Sequence, residues 1–229
     1  MNRLHYMRRL LWFGLAAAVA TVLLGELPLG WVEYPVIDGD VTGFMGLLAG
    51  SGRLTLMQLG FGVLFGGVCI PLQYSGFKAL YILADEGRND RAADIIRLGA
   101  KAVAGLGGAV HVLCAAGMFL CRGLDFTAAI PQTVMDFARW LVLPVSIVFM
   151  AAYCAMCIAL LTVVSRGRTR LPRWAAMFNP LTAALACHLL AALLPASPLM
   201  NALHMAGMGL GSVLTFGGIL ILLYRGGNP

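Results

Sequence analysis

The chain reads as an all-α, polytopic transmembrane helix bundle of about six spans with both termini cytoplasmic. Three observations predict this. The 229 residues are 60% hydrophobic and only 11% charged, with a mean hydropathy of +0.87. A soluble domain is about 45–50% apolar and about 25% charged, so this chain holds more apolar surface than one aqueous core can bury. Second, the apolar residues come in long runs free of charge. Third, Lys and Arg alternate in abundance between the loops.

The runs define the spans, because a helix crossing the hydrocarbon needs about 20 residues. The first run starts at Leu10, passes Glu26 and closes near Gly30, giving a span over 10–30. Its basic start and Ala18-Val19-Ala20 resemble a leader cleavage pattern, but the apolar run continues through Leu23, Leu24, Leu27 and Leu29, which predicts a retained first helix. The second run, from Leu54, predicts a span over 54–82, and the third one over 98–121. The fourth span covers 136–165. Trp174 to Tyr224 carries no Lys, Arg, Asp or Glu and is too long for one crossing. Pro195 and Pro198 divide it into spans 174–195 and 199–224 joined by a tight hairpin. Pro71 and Pro144 predict kinks within spans, and Asn179-Pro180 falls in the first turns of the fifth. All of this fits a single transmembrane domain over 1–229.

Orientation follows from the basic residues. With the amino terminus inside, cytoplasmic segments hold Arg3, Arg8, Arg9, Lys78, Arg88, Arg91, Arg97, Lys101, Arg166, Arg168, Arg170, Arg173 and Arg225; the outer side holds Arg53, Arg122 and Arg139. The net charge of +6 therefore describes short positive-inside loops and not a nucleic-acid surface. The outer loop 31–53 is the longest, and Asp40 is placed to cap an interfacial helix over 41–49. The six cysteines fall almost wholly in apolar segments, as small packing residues do. Cys154 and Cys157 have redox-motif spacing without the strand–helix context that such motifs need.

Small residues mark where helices in lipid touch. Gly62 and Gly66 in the second span, and Gly207 and Gly211 in the sixth, are the candidate packing positions. Three stripes at helical spacing should face the bundle interior: Gln58, Gly62, Gly66, Cys69, Gln73 and Gly76; Lys101, Gly105, Gly108, His111, Ala115 and Met118; Asn201, His204, Met208, Gly211, Thr215 and Gly218.

An ionisable side chain at membrane depth is costly and is a functional candidate by default. Glu26, His111, His188 and His204 form the candidate intramembrane polar site. These groups can hold a transition metal, relay protons, or supply an acid and a base. The metal reading is set aside because no HxxH or HExxH spacing occurs, and no cofactor is expected. A neutral histidine in a bundle also commonly just hydrogen-bonds across a helix contact. His188 lies seven positions before Pro195 and His204 six after Pro198. Both fall roughly 10 Å below the hairpin turn, on antiparallel helices with axes about 8–10 Å apart, which predicts that they meet. His111 is deeper, and Glu26 lies near the rim.

Three readings of function stay open: an outward-facing pocket for a hydrophobic or lipid-like molecule, bound or transformed; a small-solute or proton transporter; and an assembly partner without a site. The bilayer is the expected partner, nucleic acid is not, and oligomeric state and enzymatic activity are undecided. Ile70-Pro-Leu-Gln-Tyr-Ser-Gly-Phe-Lys-Ala-Leu-Tyr81, Gly107-Gly-Ala-Val-His-Val-Leu-Cys114 and Leu171-Pro-Arg-Trp-Ala-Ala-Met-Phe-Asn-Pro-Leu181 together resemble a family of bacterial six-span membrane proteins known only as a domain of unknown function. That resemblance implies a bacterial cytoplasmic membrane and supplies no site residues.

Overall fold

The computed structural model describes residues 3–38, 44–85, 91–124, 126 and 130–225, and among these there are helices and no strands. We label the helices α1 (Arg3–Gly30), α2 (Phe44–Ser51), α3 (Leu56–Asp85), α4 (Arg91–Leu120), α5 (Gln132–Ser165), α6 (Pro180–Ala192), α7 (Pro198–Met205) and α8 (Gly207–Arg225). Five of them, α1, α3, α4, α5 and α8, are long and apolar enough to cross a membrane. Their side chains turned away from the bundle are apolar: Trp12, Leu64, Leu98, Trp140, Ile147 and Ile221 are all exposed. An all-α protein built to meet lipid is the direct reading of these surfaces.

The fifth apolar segment differs from expectation. Hydropathy predicts a helix over 174–195, but α6 has 13 residues, short of the length a crossing needs. The cause is local. Pro180 restricts Asn179 to an extended backbone, so the chain before it coils as a 3-10 turn, Arg173–Met177. The Asn179 side chain accepts from the Leu181 N–H to cap α6, and its amide donates to the Cys157 carbonyl of α5 at 2.7 Å. The sixth segment also departs from a single helix, breaking at Ala206 into α7 and α8. In the loop between α1 and α3, where an interfacial helix over 41–49 is expected, α2 runs over Phe44–Ser51; residues 39–43, with Asp40 and Val41, lie outside the described residues, as does Arg88.

Hydrogen bonds place the helix ends in two groups. At one end Arg3 Nη2 donates to the Ile82 carbonyl, Arg8 Nη2 to that of Leu223, and Lys78 Nζ to the Tyr6 hydroxyl. At the other, Gln58 Nε2 donates to the Pro28 and Trp31 carbonyls, Arg122 Nη1 to Leu54, and Asn201 Nδ2 to Val32. The main apolar core fills the first end, where Met7, Leu11, Phe77, Leu80, Ile96, Met156 and Phe216 are buried together. A small cluster of Leu29, Leu54, Leu59 and Ala115 closes the other. The space between the two clusters is where the candidate site lies.

Three stretches are widened to π-helix: Thr21–Glu26 in α1, Gly62–Gly66 in α3 and Ala138–Val142 in α5. The first and third end two residues before Pro28 and Pro144. A proline in a helix has no N–H to donate and its ring crowds the carbonyl four residues back, and a wider turn accommodates it. The π segments of α1 and α3 pack against each other. Single π turns within α-helices recur at functional sites, and these two carry or border the residues described next.

Candidate functional site

A cavity of about 170 Å³ sits among α1, α3, α4, α5, α7 and α8. Its walls are mostly apolar, including Leu29, Ile70, Val110, Phe149, Met118 and Met208. Its polar members are Glu26, Gln73, His111, Cys114, Tyr153 and Ser212. Three buried polar atoms on this one cavity have no hydrogen-bond partner: Glu26 Oε2, His111 Nε2 and the Tyr153 hydroxyl oxygen. Native proteins satisfy the great majority of buried polar atoms, so three orphans gathered around one space call for an explanation.

Each of the three is held by its helix. Glu26 is the last residue of the α1 π segment and is only 7% exposed. Its carboxyl lies against Gly209 of α8, where a β-carbon would collide with Oε2. His111, in the second half of α4, lies with its ring on Gly66, the last residue of the α3 π segment, and beside the Gly62 carbonyl. Tyr153 is 2% exposed within α5 and stacks on Phe149, ring centroids 6.0 Å apart. Gln73 is fixed from behind: its amide donates to Thr21 Oγ1 at 3.1 Å, and Thr21 in turn donates to the Ala17 carbonyl.

The four ionisable residues singled out in the sequence separate into two pairs. Glu26 and His111 share the cavity. His188 and His204 do meet, edge to face with ring centroids 4.7 Å apart, but neither lines it. His204 is exposed and His188 is half-buried, with its ring packed on Gly207 and its Nδ1 unpartnered. The break at Ala206 explains the separation, because helical spacing carries no azimuth across it. Among the described residues no three or more His, Cys, Asp or Glu are gathered as a metal site would need.

The four candidate packing glycines all sit at close approaches. Gly62 meets the Leu29 side chain, Gly66 the His111 ring, Gly207 the His188 ring, and Gly211 the backbone of Pro180 and Ala184. The stripe on α3 faces inward as expected, through Gln58, Gly62, Gly66, Gln73 and Gly76. The stripe on α4 does so only from Gly108 onward. Lys101 and Gly105 are exposed, and a β-carbon on Gly105 would meet nothing.

Helical spacing and charge did not single out Tyr153 or Ser212. The signal for Tyr153 was present all the same, since a phenol in mid-span must find a partner or water for its hydroxyl. Ser212 carried no comparable signal, being as small as the packing residues around it.

No match to the chain was found among curated proteins or among solved structures. A model of the family of unknown function DUF6796 matches residues 1–226, almost the whole sequence, and the chain belongs to that family.

Proposed function

We propose that the protein is a multi-pass protein of a bacterial cytoplasmic membrane whose central cavity, opening toward the outer leaflet, binds a small amphipathic molecule. The observation that carries this reading is the convergence of Glu26 Oε2, His111 Nε2 and the Tyr153 hydroxyl, all buried and unpartnered, on one largely apolar space. An apolar cavity with a few convergent polar groups is the usual form of a small-molecule site. A bound molecule or water would satisfy groups that the protein leaves unmet.

The transporter reading has less support. A conducting path would need polar groups running on from the cavity toward the Arg3 end. Phe77 stands on that side, edge to face with Phe216 at 5.1 Å, and both belong to the main apolar core. Gln73 and Thr21 lead only to a backbone carbonyl. The assembly reading leaves the three orphaned atoms unexplained.

Two experiments test the proposal. Solvent extraction of the purified protein, followed by mass spectrometry, is expected to release a small molecule that is depleted in Cys114→Phe, whose larger side chain occupies the cavity. Identical extracts from both proteins would overturn the pocket. The second concerns orientation. In a cysteine-free background, an impermeant maleimide is expected to label Ser197→Cys in intact cells and Thr169→Cys only after lysis. The opposite pattern would invert the orientation and turn the cavity mouth to the cytoplasm.

A further inference from the structure

We infer that the ligand is an organic cation, a protonated amine on a compact apolar or aromatic body. This rests on the pocket reading above and names the chemistry it would select. Among the described residues lining the cavity there is one carboxylate bearer, Glu26, and no Lys or Arg. An anionic head group would bring its charge into an apolar wall that offers no Lys or Arg to compensate it, so that class is disfavoured. A neutral ligand that only accepts hydrogen bonds brings no donor to His111 Nε2 and no charge to hold Glu26 ionised.

An alkylammonium supplies what is missing. It offers three N–H donors and no acceptor. Three buried atoms that can accept border the space: a Glu26 carboxylate oxygen, His111 Nε2 and the Tyr153 oxygen. Its positive charge makes an ionised Glu26 tolerable in an apolar enclosure, because a buried charge persists when it is paired and hydrogen-bonded. The remaining wall suits the rest of such a molecule. Phe77, Phe149 and Tyr153 place aromatic rings, the side chains that attract cations, along the wall, and Met118, Met205 and Met208 adapt to an irregular apolar body. The volume sets the size. A cavity of about 150 Å³ holds a benzene ring, and the roughly 170 Å³ here holds a ring-sized body with a short polar head.

The test uses the full chain in lipid nanodiscs and three probes of one shape: benzylamine, which is an ammonium at neutral pH, benzyl alcohol and benzoate. Calorimetric titration is expected to show benzylamine binding tighter than benzyl alcohol by about tenfold or more, and no binding of benzoate. Signal that persists in Cys114→Phe is partition into lipid and is subtracted. Glu26→Gln is expected to erase the preference for the amine while leaving benzyl alcohol bound. If benzyl alcohol binds the wild-type protein as tightly as benzylamine, the cation inference falls and the pocket stands. The inference falls likewise, with the pocket intact, if Glu26→Gln keeps the preference. If none of the three probes binds, the cation inference falls, and the extraction comparison decides the pocket separately. Should Glu26→Gln fail to fold, the ranking of the three probes on the wild-type protein still confirms or overturns the inference.

Discussion

Gly211→Leu is expected to lower the thermal unfolding midpoint in detergent by the equivalent of about 1–3 kcal/mol, the cost of overpacking a close-fitting contact. Gly60→Leu is expected to leave it unchanged. A β-carbon on Gly211 would lie 2.5 Å from the Pro180 carbonyl oxygen and 3.0 Å from the Ala184 nitrogen. Both are backbone atoms of α6, so no side-chain rotation can make room. The whole of α6 would have to retreat from α8. It is also tied to α5 through the 2.7 Å bond from Asn179 to the Cys157 carbonyl, and that bond would be strained in turn. On Gly60 a β-carbon meets nothing within 4 Å, so a leucine there simply joins the lipid-facing surface. Equal midpoints for the two variants would mean that α6 and α8 do not pack as described. Gly66 and Gly207 should show smaller losses than Gly211, because their neighbours are the imidazoles of His111 and His188, which can swing aside.

What could be read in the sequence, and what could not, divides along a physical line. Charge-free runs reveal length and polarity, which is why the helix Leu56–Asp85 and the ends at Gly30 and Leu120 were foreseeable to within a few residues, whereas α1 and α4 begin well before the expected 10 and 98 because their first turns carry charged residues. Paired prolines reveal a break, so the turn between α6 and α7 was foreseeable too. Azimuth is another matter. A π turn adds a residue and rotates everything after it relative to a regular helix. Neither Thr21–Glu26 nor Gly62–Gly66 announces itself by composition. The α3 stripe nevertheless faces inward, because its glycines and glutamines mark contacts whichever way the turn is wound. The break at Ala206 could not be seen, and it separates His204 from the face that Met208 and Gly209 present to the cavity. Depth alone brought His188 and His204 together, and depth alone could not say that their pair stands apart from Glu26 and His111. The short α6 was not legible: unbroken hydropathy drew the expected span back to Trp174 and put Asn179-Pro180 in its first turns, whereas Asn179 caps α6 and Pro180 opens it.

The cavity itself follows from an imbalance in how the bundle is filled. Large apolar side chains crowd the Arg3 end, and Leu29, Leu54 and Leu59 cap the other. Between them the helices approach through small residues: Gly66 at His111, Gly107 near Ile70, and Gly209 at Glu26. Close approach at those points brings the polar side chains inward rather than out to lipid, where each would be costly. The three atoms that end up facing the space are left without a well-formed hydrogen bond. A fold selected only for stability would replace them with apolar groups of similar shape.

Glu26→Met is accordingly expected to raise the unfolding midpoint of the empty protein while abolishing its selectivity for benzylamine. Methionine matches the length of glutamate and adapts its shape to an irregular gap. The substitution removes a buried carboxyl whose Oε2 has no partner, and an unsatisfied buried polar atom costs about 1–3 kcal/mol. Tyr153→Phe should act in the same direction and by less, since only one orphaned hydroxyl is removed and the ring keeps its stack on Phe149. A gain in stability with a loss of binding is what a group kept for function produces. Thermal unfolding of the two variants beside the wild-type protein, without ligand, separates the alternatives. If Glu26→Met unfolds earlier, the carboxyl is a structural tie between α1 and α8 at Gly209, and the cavity loses its strongest claim to be a site.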